Sequence, residues 1–222
     1  MEHTTLAHQC YELIRAQIIS GEILPGKKLK ILTLSKALNT GPTPVREALS
    51  RLINTGLVEA TENQGFRVSS LSRSGIKDLY LTFFQIESLA LKESIAKGDD
   101  AWAAQVVAAQ YQLSLTEDGT VLQLEQYPKW FERNQQFHGA LINGCGSPCL
   151  LEIRNRLYVQ FDRYIRLALQ KNPEPFVLDH SIHKELGEAT IRREEKRALA
   201  LLKSDILDGM DAVLKTLDEH LT

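Results

Sequence analysis

The sequence predicts a mainly α-helical protein: an N-terminal winged helix-turn-helix with a small β-hairpin, then an all-α helical bundle. Three observations support this prediction. Apolar residues recur at helical spacing through most of the chain. Only two short segments look extended, and both lie before residue 70. The order of helix, short helix, turn, helix and hairpin within 70 residues is typical of a winged helix-turn-helix. The predicted domains are residues 1–74 and 75–222.

The first domain divides into elements at its turn-forming residues. Its first helix is predicted over about 6–20, with Gly21 as the C-cap, and a short helix follows over about 33–38. The next helix is predicted over 43–54, with Thr43 as the N-cap and Pro44 in the first turn. Residues 57–60 and 66–69 form the hairpin strands, because polar residues and a glycine connect them.

The second domain shows no further strand-like alternation. Its helices are predicted at about 75–97, 99–116, 120–144, 148–171, 175–193 and 195–220. Most breaks between them contain Gly or Pro, which end helices. Six helices without strands predict a helical bundle.

Charge is distributed unevenly in this chain of 222 residues with net charge −2. Residues 1–74 carry nine basic and six acidic side chains, whereas 75–222 carry 17 basic and 22 acidic ones. This asymmetry favours a polyanionic partner for the first domain. No apolar stretch approaches the roughly 20 residues of a membrane span. The three cysteines fit a reducing cytoplasm, with Cys145 and Cys149 interpreted as ordinary thiols rather than a redox or metal pair.

The helix predicted over 43–54 has one polar and one apolar face. Thr43, Arg46 and Ser50 share the polar face, which suits base edges in the major groove of double-stranded DNA. The hairpin and the approach to the second helix add further polar groups, and lysines there suit phosphates. The alternative is an ordinary solvated surface. The predicted DNA-binding residues are Thr43, Arg46, Ser50, Arg51, Gln64, Gly65, Arg67 and Lys30.

The contiguous run Thr43-Pro44-Val45-Arg46-Glu47-Ala48-Leu49 is framed by Leu24-Pro25-Gly26, Gly56-Leu57-Val58 and Gly65-Phe66-Arg67-Val68. With this framing it resembles the N-terminal domain of the GntR family of bacterial transcription regulators. The helical remainder is similar to the FCD domain of the FadR-type branch. The resemblance implies a homodimeric cytoplasmic regulator, more often a repressor, which binds operator DNA and responds to a small organic acid.

Two positions depart from the family pattern. Pro42 stands where members commonly have Arg, and Ile31 and Leu32 occupy a stretch that is often charged in relatives. Two customary DNA-contacting arginines are therefore missing. More of the sequence readout is expected to fall on the remaining polar residues and the hairpin.

The resemblance also implies a metal site in the second domain. Metal-binding members place an Asp or Asn four residues before a His, and two more His on the last two helices. Asn134 and His138 match the pair, His183 matches the next ligand, and Asp205 stands near the place of the last histidine. This set suits Zn²⁺ or Ni²⁺. A metal-free polar pocket is the alternative, and His180 replaces His183 if the register shifts by one turn.

An anionic effector in such a pocket would meet basic side chains. Arg163 and Arg166 are three residues apart, and Tyr164 adds a hydroxyl, so these three are the predicted effector-binding residues. A solvated basic face is the alternative. The sequence contains no His-Glu-x-x-His or nucleophile motif, so we expect a regulator and not an enzyme. A metal-dependent enzyme fused to a winged helix, and a winged helix used for protein contact, remain the alternatives.

Overall fold

A computed structural model describes residues 5–61, 65–117, 119–174 and 176–217. It is mainly helical, with a small sheet near the N-terminus, as predicted. The elements in chain order are α1 Leu6–Ile19, β1 Lys28–Leu29, α2 Ile31–Ala37, α3 Pro42–Ile53, β2 Val58–Thr61, β3 Gly65–Val68, α4 Arg73–Lys97, α5 Asp100–Ser114, α6 Tyr127–Ile142, a 3₁₀ turn Asn143–Cys145, α7 Pro148–Lys171, α8 His180–Ile191 and α9 Glu195–Leu217.

The chain divides into two compact units. The first contains the chain up to Ser72 together with Val159–Leu167, and the second contains Arg73–Tyr158 and the chain from Ala168 onwards. The division at residue 72 lies two residues from the predicted boundary at 74. The middle of α7 is grouped with the first unit, which no sequence pattern indicated.

The core of the first unit lies between α1, α3 and the sheet. Ile14 and Ile18 of α1 are buried against Val45, Leu49 and Leu52 of α3. These α3 residues recur at helical spacing, so burying them leaves the opposite face of α3 in solvent. The position of α3 is therefore fixed by its apolar stripe.

The sheet has three strands in the order β1-β3-β2, all antiparallel. The hairpin of β2 and β3 was predicted, but β1 was not. Strand β1 pairs only Lys28 with Arg67 and Leu29 with Phe66. A two-residue strand is too short to show alternation, so tertiary pairing alone defines it.

Helix α3 begins one residue earlier than predicted. Its N-cap is Gly41, which makes no side-chain capping bond, and Thr43 lies inside the first turn. The prediction of Thr43 as the N-cap is therefore wrong. The reason is Pro42, because proline at the first helical position lacks only an N–H that would have no partner in the helix.

In the second unit, α4, α5, α7 and α9 begin within two residues of their predicted starts, but α6 and α8 begin later. Residues 120–126 and 176–179 were predicted as helix, yet Val121 and Val177 form an antiparallel bridge. The Leu122 N–H donates to the Phe176 carbonyl at 2.7 Å, and the Leu178 N–H donates to the Thr120 carbonyl at 2.8 Å. This pairing joins the segment after α5 to the segment before α8.

None of the helices in the described ranges combines the length and apolar character needed to span a membrane. Cys10, Cys145 and Cys149 are all free thiols, and the Ser147 N–H donates to the buried Cys145 Sγ at 3.4 Å. Helix α9 was predicted to residue 220, but positions beyond Leu217 lie outside the described residues.

Candidate functional sites on α3 and in the helical unit

The solvent face of α3 carries three of the residues predicted to bind DNA. Thr43, Arg46 and Ser50 are all exposed, and Arg51 is exposed at the end of the same helix. The Arg51 guanidinium lies 4.6 Å from the centre of the Tyr11 ring, a cation–π contact that restricts its direction. Helix α3 therefore presents hydroxyls and guanidinium groups from a rigid scaffold.

The hairpin and the start of α2 hold the other predicted contacts. Gly65 has a φ of +84°, a left-handed conformation that glycine adopts without strain, and a Cβ there would meet nothing within 4 Å. Arg67 is exposed, and its Nη1 donates to the Gly26 carbonyl at 2.8 Å, so this arginine also fastens the hairpin to the turn before β1. Lys30 is exposed at the N-cap of α2. The predicted contact Gln64 lies outside the described residues.

Two histidines and one aspartate meet in the interior of the second unit. His138 on α6, His183 on α8 and Asp205 on α9 offer ligand atoms that all lie within 4.8 Å of one another. The His138 Nε2 lies 3.2 Å from Asp205 Oδ2, and the His183 Nε2 lies 3.2 Å from Asp205 Oδ1. We call this group the His/Asp cluster. Three helices thus bring together three of the four predicted metal ligands.

A second layer of carboxylates holds the outward nitrogens of both imidazoles. The His138 Nδ1 lies 3.1 Å from Oε2 of Glu87 on α4, and the His183 Nδ1 lies 2.7 Å from Oε1 of Glu117. Each ring therefore has its Nδ1 on a glutamate and its Nε2 toward Asp205. A carboxylate behind a histidine is the usual way to orient a metal-binding imidazole.

Both glutamates are fixed by further donors. The fully buried Glu87 accepts from the Arg154 Nε at 2.8 Å, and Arg154 also lies 4.4 Å from the centre of the Tyr158 ring. Glu117 lies 2.8 Å from the His180 Nδ1 and accepts from the Trp130 Nε1 at 3.2 Å. The pairing of residues 119–122 with 176–178 brings Glu117 beside the start of α8.

Asn134, the fourth predicted ligand, lies next to the cluster. Its Nδ2 is 3.4 Å from the His183 Nε2, and its Oδ1 accepts from the Tyr158 hydroxyl at 2.8 Å. Turning the amide over would direct its oxygen to the cluster, and the Tyr158 oxygen would then accept from the amide nitrogen. The same position therefore serves a hydrogen bond or a metal contact.

The carboxylates determine the protonation of both imidazoles. Burial acts to lower the pKa of His138, but Glu87 and Asp205 outweigh it and raise that pKa to about 9. Burial likewise opposes protonation of His183, but Asp205 and Glu117 raise its pKa to about 10. The two imidazolium groups hold the pKa of Asp205 below its usual range, against the effect of burial. Without an ion, the cluster is therefore a buried set of ion pairs.

The donor chemistry of the cluster fits a divalent ion. Two imidazole nitrogens and one carboxylate oxygen converge, and an amide oxygen can join them. Donors bound to one ion at about 2.1 Å lie about 3–4 Å apart, so the observed separations need only small shifts. His180 does not face Asp205 but contacts Glu117, so its alternative role as a ligand in place of His183 is not the geometry observed.

The three predicted effector-binding residues lie in the part of α7 that is grouped with the first unit. Arg163 is 2% exposed, and its Nη2 donates to the Ser69 carbonyl at 2.5 Å. The Arg166 Nε donates to Asp162 Oδ1 at 2.8 Å, and the burial of Tyr164 raises the pKa of its hydroxyl. Their role in effector binding stays a prediction.

Sequence reasoning missed Glu87, Glu117 and the role of Arg154. A signal existed for Glu87, because it continues the stripe of Tyr80, Phe83 and Leu91 on α4. A lone acid on a buried stripe is rare unless it is paired. No such signal existed for Glu117, since it lies in a connection whose pairing is set by tertiary structure.

Family models match both units. The model described as bacterial regulatory proteins, gntR family, matches residues 6–68, and the FCD domain model matches residues 78–208. The HTH-type transcriptional repressor GlaR of Escherichia coli strain K12 is 33% identical over 202 residues, covering 89% of this chain and 90% of the relative. The HTH-type transcriptional regulator BphR of Paraburkholderia xenovorans strain LB400 is 31% identical over 210 residues, covering 94% and 85% respectively.

Solved structures share the fold. Escherichia coli McbR/YncC superposes with a TM-score of 0.71 at 19% identity, covering 95% of this chain and 98% of that one. A GntR transcriptional regulator from Rhodococcus sp. RHA1 gives a TM-score of 0.69 at 21% identity, covering 94% and 97%. GlaR and BphR are both named as HTH-type transcriptional regulators, the class of protein predicted from the sequence. The chain thus belongs to the GntR family of transcription regulators and carries an FCD domain behind its helix-turn-helix module.

Proposed function

We propose that this regulator is a sequence-specific repressor whose affinity for operator DNA is controlled by a small organic acid, which binds beside a divalent metal ion. The observation that carries the proposal is the His/Asp cluster, in which His138 and His183 turn their Nε2 atoms to Asp205. Repression as the sign of regulation is supported by the similarity to GlaR, which is named as a transcriptional repressor.

We assign operator contacts to the first domain, residues 1–74. Thr43, Arg46 and Ser50 are the base-reading residues of α3, because all three lie on its exposed face. Arg51 and Lys30 suit phosphates, which position the protein on the duplex without reading its sequence. The hairpin residues Gln64, Gly65 and Arg67 complete the interface proposed here.

We assign metal binding to Asn134, His138, His183 and Asp205 in the second domain, residues 75–222. Two nitrogen and two oxygen donors suit Zn²⁺ or Ni²⁺ better than the harder Mg²⁺ or Ca²⁺. When bound, the ion would supply a Lewis-acidic position for an oxygen of the effector. Glu87 and Glu117 hold the imidazoles, so that their Nε2 lone pairs face the ion.

We further propose that the regulator acts as a homodimer, because two α3 helices then meet two half-sites on one face of the DNA. Helix α5 offers a surface for this contact. From Ala101 to its end this helix contains no Asp, Glu, Lys, Arg or His. Val107, Tyr111 and nearby Leu115 are each more than half exposed. A face without charge meets its own copy across a two-fold axis without like-charge repulsion.

The operator-binding proposal is tested by selection of genomic DNA fragments with the purified protein, followed by sequencing. A short palindromic site enriched over random fragments is the expected result. Binding should weaken steeply between 50 and 200 mM salt, because phosphate contacts release counterions. No enrichment, or binding that is indifferent to salt, would refute the proposal. In that case the winged helix would serve protein contact instead.

The metal proposal is tested by measuring metal content after dialysis against trace Zn²⁺ and Ni²⁺. One ion per chain is expected in the wild type, and less than one tenth of that in His138→Ala. His180→Ala is the matched control, because His180 touches Glu117 but does not face Asp205. Unchanged metal content in His138→Ala would show that the ion binds elsewhere, and equal loss in both variants would show that His180 also takes part in holding it.

A further inference from the structure

We infer that Arg133 on α6 is the anion-binding group of the helical domain, and that it takes the carboxylate of the effector. This inference rests on the proposed function, because it names the residue and the ligand chemistry of the same pocket. It replaces the arginines of α7 in that role by a residue that the sequence pattern did not single out.

One nitrogen of the Arg133 guanidinium is buried without an acceptor in the described part of the chain. Its Nη1 has essentially no contact with solvent and no hydrogen-bond acceptor among the described residues. A guanidinium is a cation with five N–H donors, and a buried donor without an acceptor is unfavourable because it has lost its hydrogen bonds to water. An acceptor from outside the chain would remove that penalty.

Other arginines of this unit are already engaged. Arg154 is bound to Glu87, Arg193 donates to the Ile95 and Gly98 carbonyls, and Arg197 pairs with Glu185. Each of these guanidinium groups has acceptors within the protein. The Arg154 Nη2 also makes no hydrogen bond, but it lies 2.7 Å from Glu87 Oε1. The Arg133 Nη1 has no hydrogen-bond acceptor in the described ranges.

The helical neighbours of Arg133 on α6 contact His183 or the glutamate that holds it. Trp130, one turn earlier, donates to Glu117, which holds His183. Phe137, one turn later, has its ring centre 5.5 Å from that of His183. Residues three and four apart on a helix are neighbours, so Arg133 lies between two side chains that contact this side of the cluster. Its chain neighbour Asn134 approaches the His183 ring itself.

The charges of the pocket then specify an acid. With a divalent ion and neutral imidazoles, the charges of Glu87, Glu117, Asp205, Arg154 and the ion sum to zero. The unpaired Arg133 leaves one positive charge, which a carboxylate neutralises through two parallel N–H···O bonds. A second oxygen of the same molecule suits the ion. The inferred ligand is therefore a short acid with one carboxylate for Arg133 and a second oxygen donor for the ion. A hydroxyl as that donor keeps the site neutral, and a second carboxylate leaves it with one negative charge.

The experiment is calorimetric titration of the metal-loaded full chain with short 2-hydroxy acids and with dicarboxylates that have one to four methylene groups between their carboxylates. At least one of these probes should bind to the wild type, and its amide analogue should not. Arg133→Gln is expected to weaken that binding at least tenfold without loss of metal. Arg133→Lys should fall between the two, because a lysine keeps the charge but loses the paired geometry. Arg192→Gln is the matched control, since Arg192 is exposed at the end of α8.

The outcomes separate this inference from the proposed function. Equal affinity in wild type and Arg133→Gln would overturn the role of Arg133. Absence of binding by every probe would also overturn it. In both cases the metal-binding proposal would stand as long as the protein holds its ion. If the wild type holds no metal, the metal proposal fails. A thermal shift by dicarboxylate that disappears in Arg133→Gln would then still support the anion site. Circular dichroism of each variant establishes that the fold is kept.

Discussion

Binding of a divalent ion should release two protons from the His/Asp cluster. Each imidazole lies between two carboxylates, which raise its pKa, so we expect each to carry protons on both nitrogens in the absence of an ion. An ion bound at the Nε2 atoms must displace one proton from each ring. The buried charge is unchanged by this exchange, because two protons leave and one divalent ion enters. Exchange at constant charge avoids the large penalty of an uncompensated buried charge.

The pKa values set the size of the effect. At pH 7.5 the pKa of His138, about 9, and that of His183, about 10, keep both rings protonated. Removing both protons at that pH costs about 5 kcal/mol, which weakens the apparent affinity about 10⁴-fold. Below pH 9 the apparent affinity should therefore rise by up to about 100-fold per pH unit.

The assay is calorimetric titration of Zn²⁺ in buffers that differ in ionisation enthalpy, which counts the released protons. Two protons per ion are expected in the wild type and in His180→Ala. A count near zero, or an affinity that changes less than tenfold per pH unit between 7 and 9, would refute the reasoning. Such a result would mean that the imidazoles are neutral before the ion arrives, or that they are not its ligands.

Three further predictions concern DNA, stability and assembly. Arg46→Ala should weaken operator binding by about 10–100-fold in a gel-shift titration, whereas Arg192→Ala on the helical domain should not change it. Glu87→Gln should lower the free energy of unfolding in urea by about 3 kcal/mol, because it leaves a buried guanidinium without its counter-ion; Glu152→Gln, in an exposed pair, should change it little. Tyr111→Glu should convert a dimer to monomers in light scattering, since it places like charges opposite each other; an unchanged mass would exclude the face of α5 as the interface.

Much of the fold could be predicted because helical periodicity is strong. Helix α7 was predicted at its observed bounds, because Pro148 marks its start and Pro173 follows shortly after its end. Residues 120–126 were predicted as the start of a helix, but 119–122 pair with 176–178, and this long-range pairing makes them extended. A local pattern does not distinguish these outcomes, because tertiary contacts override propensity.

The candidate metal ligands were predictable, but their environment was not. Asn134 and His138 share a helix face four residues apart, and His183 and Asp205 followed from the family pattern. Glu117 reaches His183 across 66 positions of the sequence, through a connection that has no motif. Arg133 could not be singled out either, because only the structure shows that its neighbours contact the cluster and that its Nη1 lacks an acceptor.

In the proposed metal site Asp205 takes the place of a family histidine, which would change what the ion does for the fold. Asp205 faces both Nε2 atoms at 3.2 Å, so the metal-free cluster neutralises itself and needs no ion for stability near neutral pH. Because the folded-state pKa values of both imidazoles lie above their unfolded value near 6.5, this stability is full below pH 6.5. It is lost as the pH rises through about 9 and 10. We therefore expect the chelated protein to stay folded at pH 7 and its melting temperature to fall steadily from pH 7 to pH 10. Unfolding by chelator at pH 7 would show instead that the ion, and not Asp205, holds the two imidazoles together.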